Sequence, residues 1–210
     1  MRTISAFASS LLLFSPTYVY GQVVFLSAQG RSASGVPMGP IGSSLGLDLS
    51  NFLGNPVSFP PTQQAVSSWE GAGSTQSGPI NINSAMNTLL TGNQVAQGTP
   101  GGQMMMVAQP INGDPNAPFI CAIDQTAEAQ VGSWTSVDVS AQAQTRRRGV
   151  VTTPFPLVVN LPEDMECTGS FPGYKSKKVC LIRCQNFQIN GPSGGVMPFE
   201  QLRTRRRPTF

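Results

Sequence analysis

The chain has 210 residues, of which 40% are hydrophobic and only 11% are charged. Globular proteins average about 25% charged residues, so the surface of this one must be neutral and polar rather than ionic. The 22 glycines and 18 prolines disfavour a helical bundle, because both residues interrupt helices. The chain contains no histidine, which excludes Ser-His-Asp triads, Cys-His dyads, and zinc or copper sites built on imidazole.

The charge is distributed unevenly along the chain. Residues 22–144 carry one base and six acids, whereas residues 145–210 carry eleven bases and four acids. Two arginine clusters, Arg146–Arg148 and Arg203 with Arg205–Arg207, are interpreted as a solvated loop and part of a basic tail over 201–210. Processing by a dibasic-specific protease and contact with an anionic polymer stay open as alternatives. Bases are not interleaved with aromatic residues, so we expect no nucleic-acid partner.

Residues 1–21 are predicted to be a secretory signal peptide. Arg2 supplies a basic start, an apolar stretch follows from Ile4 to Phe14, and Val19 and Gly21 have sizes that a signal peptidase accepts beside its cleavage point. The apolar stretch is too short to cross a bilayer, which takes about 20 residues. We therefore expect no membrane span and a secreted, extracellular protein that begins at Gln22.

Short strands separated by Gly and Pro turns predict an all-β fold. After a first strand at Gln22–Ala28, residues 29–98 are rich in Gly, Ser, Pro, Asn and Gln and are predicted as long loops with one short helix near Asn83–Leu90. Further strands are predicted at Met104–Gln109, Pro118–Ile123, Ser133–Ser140, Pro156–Leu161, Val179–Cys184 and Val196–Phe199. This pattern favours a single domain over 22–200, an Ig-like β-sandwich with long Gly/Ser/Pro-rich loops.

Alternation along the predicted strands assigns side chains to faces. Met104 and Met106 share one side and are expected in the core rather than in a copper site. In the segment Ser133–Ser140, Thr135, Val137 and Val139 are expected on one face, with Asp138 on the other.

Four cysteines suit two disulfides in an oxidising compartment. Cys180 and Cys184 lie on one face of a predicted strand, about 13 Å apart, which exceeds the roughly 7 Å that a disulfide bridges. We favour Cys167–Cys180 together with Cys121–Cys184, while Cys121–Cys180 with Cys167–Cys184 stays open. A zinc site is disfavoured because no C-x-x-C pair is present.

Two motifs resemble parts of hydrolase active sites, and neither is complete. Gly191–Gly195 matches G-x-S-x-G, but a nucleophile elbow needs a histidine base, so a glycine-rich turn is the better interpretation. Glu163, Asp164 and Glu166 cluster after Pro162, whereas a glycosidase needs two carboxylates facing each other across a cleft. A solvated turn is favoured, and we assign no catalytic residue.

The end of the predicted core carries a distinctive run of residues. Val179–Asn186 reads VCLIRCQN, and GPSGGV follows at Gly191–Val196. Further motifs precede it in order: Thr99–Gly102, Ile111–Asp114, Pro118–Cys121, Phe155–Leu157 and Cys167–Gly169. Over residues 99–199 this series resembles the Egh16-like, or MAS3-type, appressorial proteins, a secreted fungal family associated with host penetration. The resemblance implies a virulence-associated factor of a fungal pathogen that acts at the appressorium or host interface.

The resemblance also implies a degenerate metal site. Family members carry histidine at the start of the mature chain and in an LHQVNGDG motif, a ligand set similar to the copper brace of lytic polysaccharide monooxygenases. The matching positions here are Gln22 and Gln109, and an amide is a poor copper ligand beside imidazole. We therefore expect no metal and no cofactor.

These observations lead to one main functional prediction and two alternatives. We expect a non-catalytic module that binds cell-wall polysaccharide or a host surface component through loops near Gln22 and Gln109. The first alternative is a carbohydrate-active enzyme that is related in fold to lytic polysaccharide monooxygenases, lacks the copper-binding histidines, and uses Glu163, Asp164 or Glu166 with a distant acid. The second alternative is a purely structural surface protein.

Overall fold

A computed structural model describes residues 22–30, 34–35, 56–112, 118–142, 153–174, 178–186 and 192–202. The predicted signal peptide and both arginine clusters lie outside these residues. The described residues form one α-helix, α1 (Ile82–Thr91), one short 3-10 helix (Val66–Ser68) and thirteen strands. In chain order the strands are β1 (Gln22–Gln29), β2 (Ser34–Gly35), β3 (Val57–Ser58), β4 (Ser74–Thr75), β5 (Gly78–Pro79), β6 (Ala96–Gly98), β7 (Gln103–Asn112), β8 (Phe119–Asp124), β9 (Trp134–Val137), β10 (Val139–Gln142), β11 (Phe155–Asn160), β12 (Val179–Asn186) and β13 (Ser193–Gln201).

Two sheets pack face to face. The smaller has the strand order β10-β11-β7-β1-β2, and the larger has the order β5-β4-β3-β13-β12-β8-β9, with β6 running parallel beside β13. The sandwich predicted from the sequence is thereby confirmed, while its Ig-like version stays a prediction. No helix in the described ranges is long and apolar enough to cross a membrane.

The main core lies between the sheets and follows strand alternation. Met104 and Met106 are fully buried there, as predicted, whereas Met105 between them is 40% exposed. The smaller sheet also contributes Val23, Phe25, Leu157 and Val159, and the larger sheet contributes Ile123, Ile182, Met197 and Phe199. Burial of these side chains supplies most of the driving force for the fold.

A second core covers the outer face of the larger sheet. Residues 56–98 were predicted as loops with one short helix, and the helix is confirmed as α1, but the range also contributes β3–β6 to the larger sheet. Trp69, Met86 and Leu89 from the intervening segments pack near Leu181 of β12. Consequently every residue of β12 is buried. Helix α1 begins where the Asn81 side chain accepts a hydrogen bond from the Ser84 N–H, and its buried residues share one face.

The segment predicted as one strand at Ser133–Ser140 is divided between the sheets. Strand β9 pairs with β8 in the larger sheet, and β10 pairs with β11 in the smaller one. The single-strand prediction is therefore wrong. Val137 and Val139 both pack against the main core because the chain changes sheets at Asp138. Thr135 pairs with Ile123 as Val137 pairs with Cys121, so it lies on the predicted face, although its side chain is exposed. Trp134 is buried.

Both disulfides lie within the main core and have the favoured pairing. Cys121–Cys184 joins β8 to β12 at directly opposed positions, with 4.1 Å between the Cα atoms. Cys167–Cys180 joins the loop before β12 to β12 itself, with 5.1 Å between the Cα atoms. All four cysteines are buried.

Candidate ligand-binding groove

An open groove of about 690 Å³ lies at the end of the larger sheet where β8 finishes. Three segments line it: residues 80–83 at the start of α1, residues 126–130 after β8, and residues 168–171 before β12. Its volume lies within the range of about 300–1,000 Å³ that is usual for small-molecule sites.

The groove is lined by neutral polar side chains above a partly apolar base. The exposed polar groups are Asn81, Asn83, Thr126, Glu128, Gln130, Thr168 and Ser170. Ile80 and Ile82 are half-buried, and Phe171 is buried. Among the described residues, the lining contains one carboxylate, Glu128, and no lysine or arginine. Such a surface offers hydrogen bonds in both directions with little net charge.

A buried carboxylate holds the loop at 126–130 in place. Asp124 accepts hydrogen bonds from the Thr126 N–H at 2.8 Å, the Thr126 hydroxyl at 2.7 Å and the Ala129 N–H at 2.6 Å. Ala127 and Ala129 have left-handed backbone conformations, with φ of 58° and 54°. Such conformations cost non-glycine residues about 1–2 kcal/mol each, so the Asp124 hydrogen bonds must stabilise the loop against them.

The loop before β12 is fastened to the same structure. The Thr168 N–H donates to the Gln125 carbonyl at 2.7 Å, and the Glu166 N–H donates to Gln125 Oε1 at 2.6 Å. Gly169 exchanges two backbone hydrogen bonds with Val179 at the start of β12. Together with the neighbouring disulfide, these contacts fix the two loops that form one side of the groove.

A substitution at Gly169 tests whether the loops at 126–130 and 168–171 must approach each other this closely. A Cβ atom at this position would clash with the Ala127 side chain and the Val179 carbonyl, although the glycine has ordinary backbone angles. We expect Gly169→Ala to lower the free energy of unfolding by about 1–3 kcal/mol, because well-packed sites do not accept an added methyl group. Urea unfolding measures the effect. Ser170→Ala, at the next and exposed position, is the control, and equal stability of the two variants would contradict the prediction.

The glutamines predicted as a degenerate metal site lie on neighbouring strands of the smaller sheet, close to the start of β13 in the larger one. Gln109 opposes Val24 and Gln22 opposes Asn112 in the β1–β7 pair. The Val23 N–H donates to Ser193 Oγ at 3.2 Å, which anchors this corner beside the start of β13. The groove lies at the opposite end of β8 from Phe119, and the six residues of that strand span about 17 Å. Within the described ranges, no three His, Cys, Asp or Glu side chains are grouped so that they could hold a metal ion.

The acidic cluster and the G-x-S-x-G motif both lie outside the described lining of the groove. Glu163, Asp164 and Glu166 are exposed on the turn between β11 and β12. Ser193 of the G-x-S-x-G motif is buried, and its hydroxyl donates to Asn186 Oδ1 at 3.0 Å. Ser193, Gly194 and Gly195 are the first residues of β13 and pair with β12, so the glycine-rich turn predicted over them is wrong, while Gly191 lies outside the described residues. The serine has no neighbouring histidine because the chain has none.

A fully buried arginine lies on the opposite face of β12 from the disulfides. The Arg183 guanidinium lies 3.6 Å from the ring centre of Phe59 and 4.5 Å from that of Trp69. It donates to Gln63 Oε1 at 2.8 Å and to Gln185 Oε1 at 2.7 Å, and to the carbonyl of Glu70. Burial lowers the pKa of Arg183 to about 9, so the side chain stays charged at neutral pH.

Tyr174, a second residue with a shifted pKa, joins the turn before β12 to β13. The Tyr174 hydroxyl donates to Glu200 Oε2 at 3.0 Å, and Gln97 Nε2 donates to the same oxygen at 3.3 Å. Burial, together with this hydrogen bond and the negative charge of Glu200, raises the pKa of Tyr174 to about 12.

Titration of Tyr174 tests this assignment directly, because Tyr174 is the single tyrosine in a chain that begins at Gln22. The other two tyrosines, Tyr18 and Tyr20, precede the predicted cleavage point. We expect absorbance at the tyrosinate band of a chain beginning at Gln22 to rise around pH 12, and around a lower pH in Glu200→Gln. The folded state keeps the proton between pH 10 and 12 while the unfolded state loses it, so stability should fall over that interval. An unchanged titration in Glu200→Gln would contradict the assignment.

Sequence reasoning missed the groove and the Arg183 contacts for different reasons. Asn83, Gln130 and Ser170 are ordinary polar residues from distant parts of the chain, and no motif connects them. Arg183 did carry a signal, since a charged residue inside an apolar strand must find polar partners when it is buried. Only Thr168–Gly169 of the groove region belonged to a recognised motif.

Fold and groove together define a disulfide-linked, two-sheet β protein with an open groove lined mostly by neutral polar residues. Residues 21–194 match the family of Egh16-like virulence factors, so the chain belongs to the Egh16-like family. The family predicted from the sequence motifs is therefore confirmed.

Two relatives from one fungus illustrate the similarity. The chain is 36% identical to the appressoria-specific virulence factor GAS1 of Pyricularia oryzae over 110 residues, which are 51% of this chain and 42% of that protein. It is 27% identical to the appressoria-specific virulence factor GAS2 of the same species over 126 residues, 56% of this chain and 43% of the relative. The chain thus spans less than half the length of these curated relatives. No solved structure matches it.

Proposed function

We propose that this protein is exported by a fungus and acts at the host interface by binding a cell-wall polymer or a host surface component without turning it over. Its family and its appressoria-specific relatives support the setting. The two buried disulfides support export, because such bonds form and persist in oxidising compartments.

The observation that carries the proposal is the chemistry of the groove. Its lining offers amides and hydroxyls but a single carboxylate, Glu128, whereas glycoside hydrolysis by paired acids needs two carboxylates across the bond. Glu163, Asp164 and Glu166, the acids named for the enzymatic alternative, are absent from this lining. The corner at Gln22 and Gln109 is a second position at which binding is proposed.

The test uses the disulfide-intact protein beginning at Gln22. We expect it to sediment with insoluble chitin, β-1,3-glucan, cellulose or isolated plant cell walls, and to release no soluble sugar from them, with or without a metal chelator. Sugar release that survives chelation would contradict the proposal and support a carbohydrate-active enzyme. Failure to sediment with any of these materials would support a purely structural surface protein. The mature N-terminus, determined by mass spectrometry of protein secreted by a fungal host, tests export separately.

A further inference from the structure

We infer that the groove at the end of β8 binds a neutral polysaccharide chain through the side chains of Asn83, Gln130 and Ser170. This inference rests on the proposed function, since it names the ligand class and the contact residues of the same binding activity. It differs from that proposal in excluding acidic and basic polymers as the principal ligands.

The first argument is the availability of these polar groups. The side chains of Asn83, Gln130 and Ser170 are exposed in the groove and have no hydrogen-bond partner among the described residues. By contrast, the Thr126 hydroxyl is engaged with Asp124, and the Thr168 hydroxyl donates to the Gln125 carbonyl. The groove therefore contains two groups of side chains, one that maintains its shape and one that is available to a ligand.

The second argument is charge. An acidic polymer such as polygalacturonate would be recognised by lysine or arginine, and neither occurs among the described residues of the lining. A cationic polymer would be recognised by several carboxylates, and Glu128 is the one carboxylate among those described residues. Amide and hydroxyl groups both donate and accept hydrogen bonds, as sugar hydroxyls do, and the half-buried Ile80 and Ile82 offer apolar surface to the C–H faces of sugar rings.

The third argument is preorganisation. Asp124 fixes the loop at 126–130, Gln125 ties it to residues 166–168, and the Cys167–Cys180 disulfide joins the second loop to β12. Asn83 lies in the first turn of a capped helix. A ligand that binds here has little backbone to immobilise, which favours affinity from a small number of hydrogen bonds.

The test compares two asparagines on one helix. We expect Asn83→Ala combined with Gln130→Ala to weaken binding of a neutral hexasaccharide by about tenfold or more, because two hydrogen bonds are lost. Laminarihexaose, cellohexaose and chitohexaose are the probes, measured by calorimetry. Asn87→Ala is the matched control, since Asn87 is exposed on α1 one turn away and does not line the groove; it should change affinity by less than about twofold. Unchanged urea unfolding shows that each variant is folded.

Charge and salt separate the ligand classes. Raising the NaCl concentration should change hexasaccharide affinity by less than about twofold, because the inferred contacts are neutral. Preferential binding of oligogalacturonate or chitosan oligomers by the wild type would overturn the inferred ligand class.

The outcomes distinguish this inference from the proposed function. If the wild type binds a hexasaccharide and the double variant binds it equally well, the groove assignment is wrong and the proposed function stands. Sedimentation with cell walls without binding of any neutral hexasaccharide overturns the inference alone. If the wild type binds neither walls nor hexasaccharides, the proposed function fails, and the inference fails with it.

Discussion

Replacing Arg183 with alanine is expected to lower the free energy of unfolding by about 3–5 kcal/mol, because a large buried side chain and its hydrogen bonds are lost together. The guanidinium packs over Phe59 and Trp69, so its removal leaves a cavity and ends both cation–π contacts. The side-chain oxygens of Gln63 and Gln185 would also lose a buried donor, which costs about 1–3 kcal/mol for each unsatisfied group.

Urea unfolding followed by tryptophan fluorescence measures this effect, because Trp69 and Trp134 are the two tryptophans and both are buried. Arg183→Lys keeps the charge but loses the planar fork, so we expect an intermediate loss of stability. Lys178→Ala is the matched control, since it removes a positive charge immediately before the same strand from a half-buried side chain. Equal stability of the Lys178 and Arg183 alanine variants would show that the buried network contributes little.

Removing the Cys121–Cys184 disulfide, by alanine at both positions, is expected to lower stability by about 4 kcal/mol, since the bond closes a long loop in the unfolded chain. Its cysteines are 63 residues apart, compared with 13 for Cys167–Cys180. Chain-entropy arguments give the shorter loop about 3 kcal/mol. For a domain of this size, the larger loss corresponds to a fall in melting temperature of roughly 10 °C.

Calorimetric melting of the two double-alanine variants, compared with the wild type, checks the order of these effects. We expect the Cys121–Cys184 variant to melt lower, and the Cys167–Cys180 variant to lose groove binding as well, because its bond adjoins the loop at 168–171. Treatment of the wild type with a reductant in denaturant, followed by refolding, is the control. A reduced protein as stable as the oxidised one would contradict both expectations.

The sequence predicted best where local pattern and core position agree. Alternation assigned Met104 and Met106 to the core. Strand geometry excluded a Cys180–Cys184 bond but left two pairings open, and the structure has the favoured one. Alternation wrongly predicted a single strand over Ser133–Ser140. Val137 and Val139 are two residues apart, as on one face of a strand, but they belong to different sheets that share one core. A change of sheet depends on long-range pairing, which leaves no local periodicity to read.

Composition and local pattern by themselves determined that this protein is a β-sandwich with two disulfides and without imidazole chemistry, since these properties need only residue counts, alternation and spacing. The tertiary structure alone decided that residues 56–98 cover the larger sheet, that Arg183 is buried between aromatic rings, and that Asn83, Gln130 and Ser170 meet in one groove. Those contacts join residues far apart in the chain, and their side-chain types are common on any polar surface. Only the folded chain brings them close enough to act together.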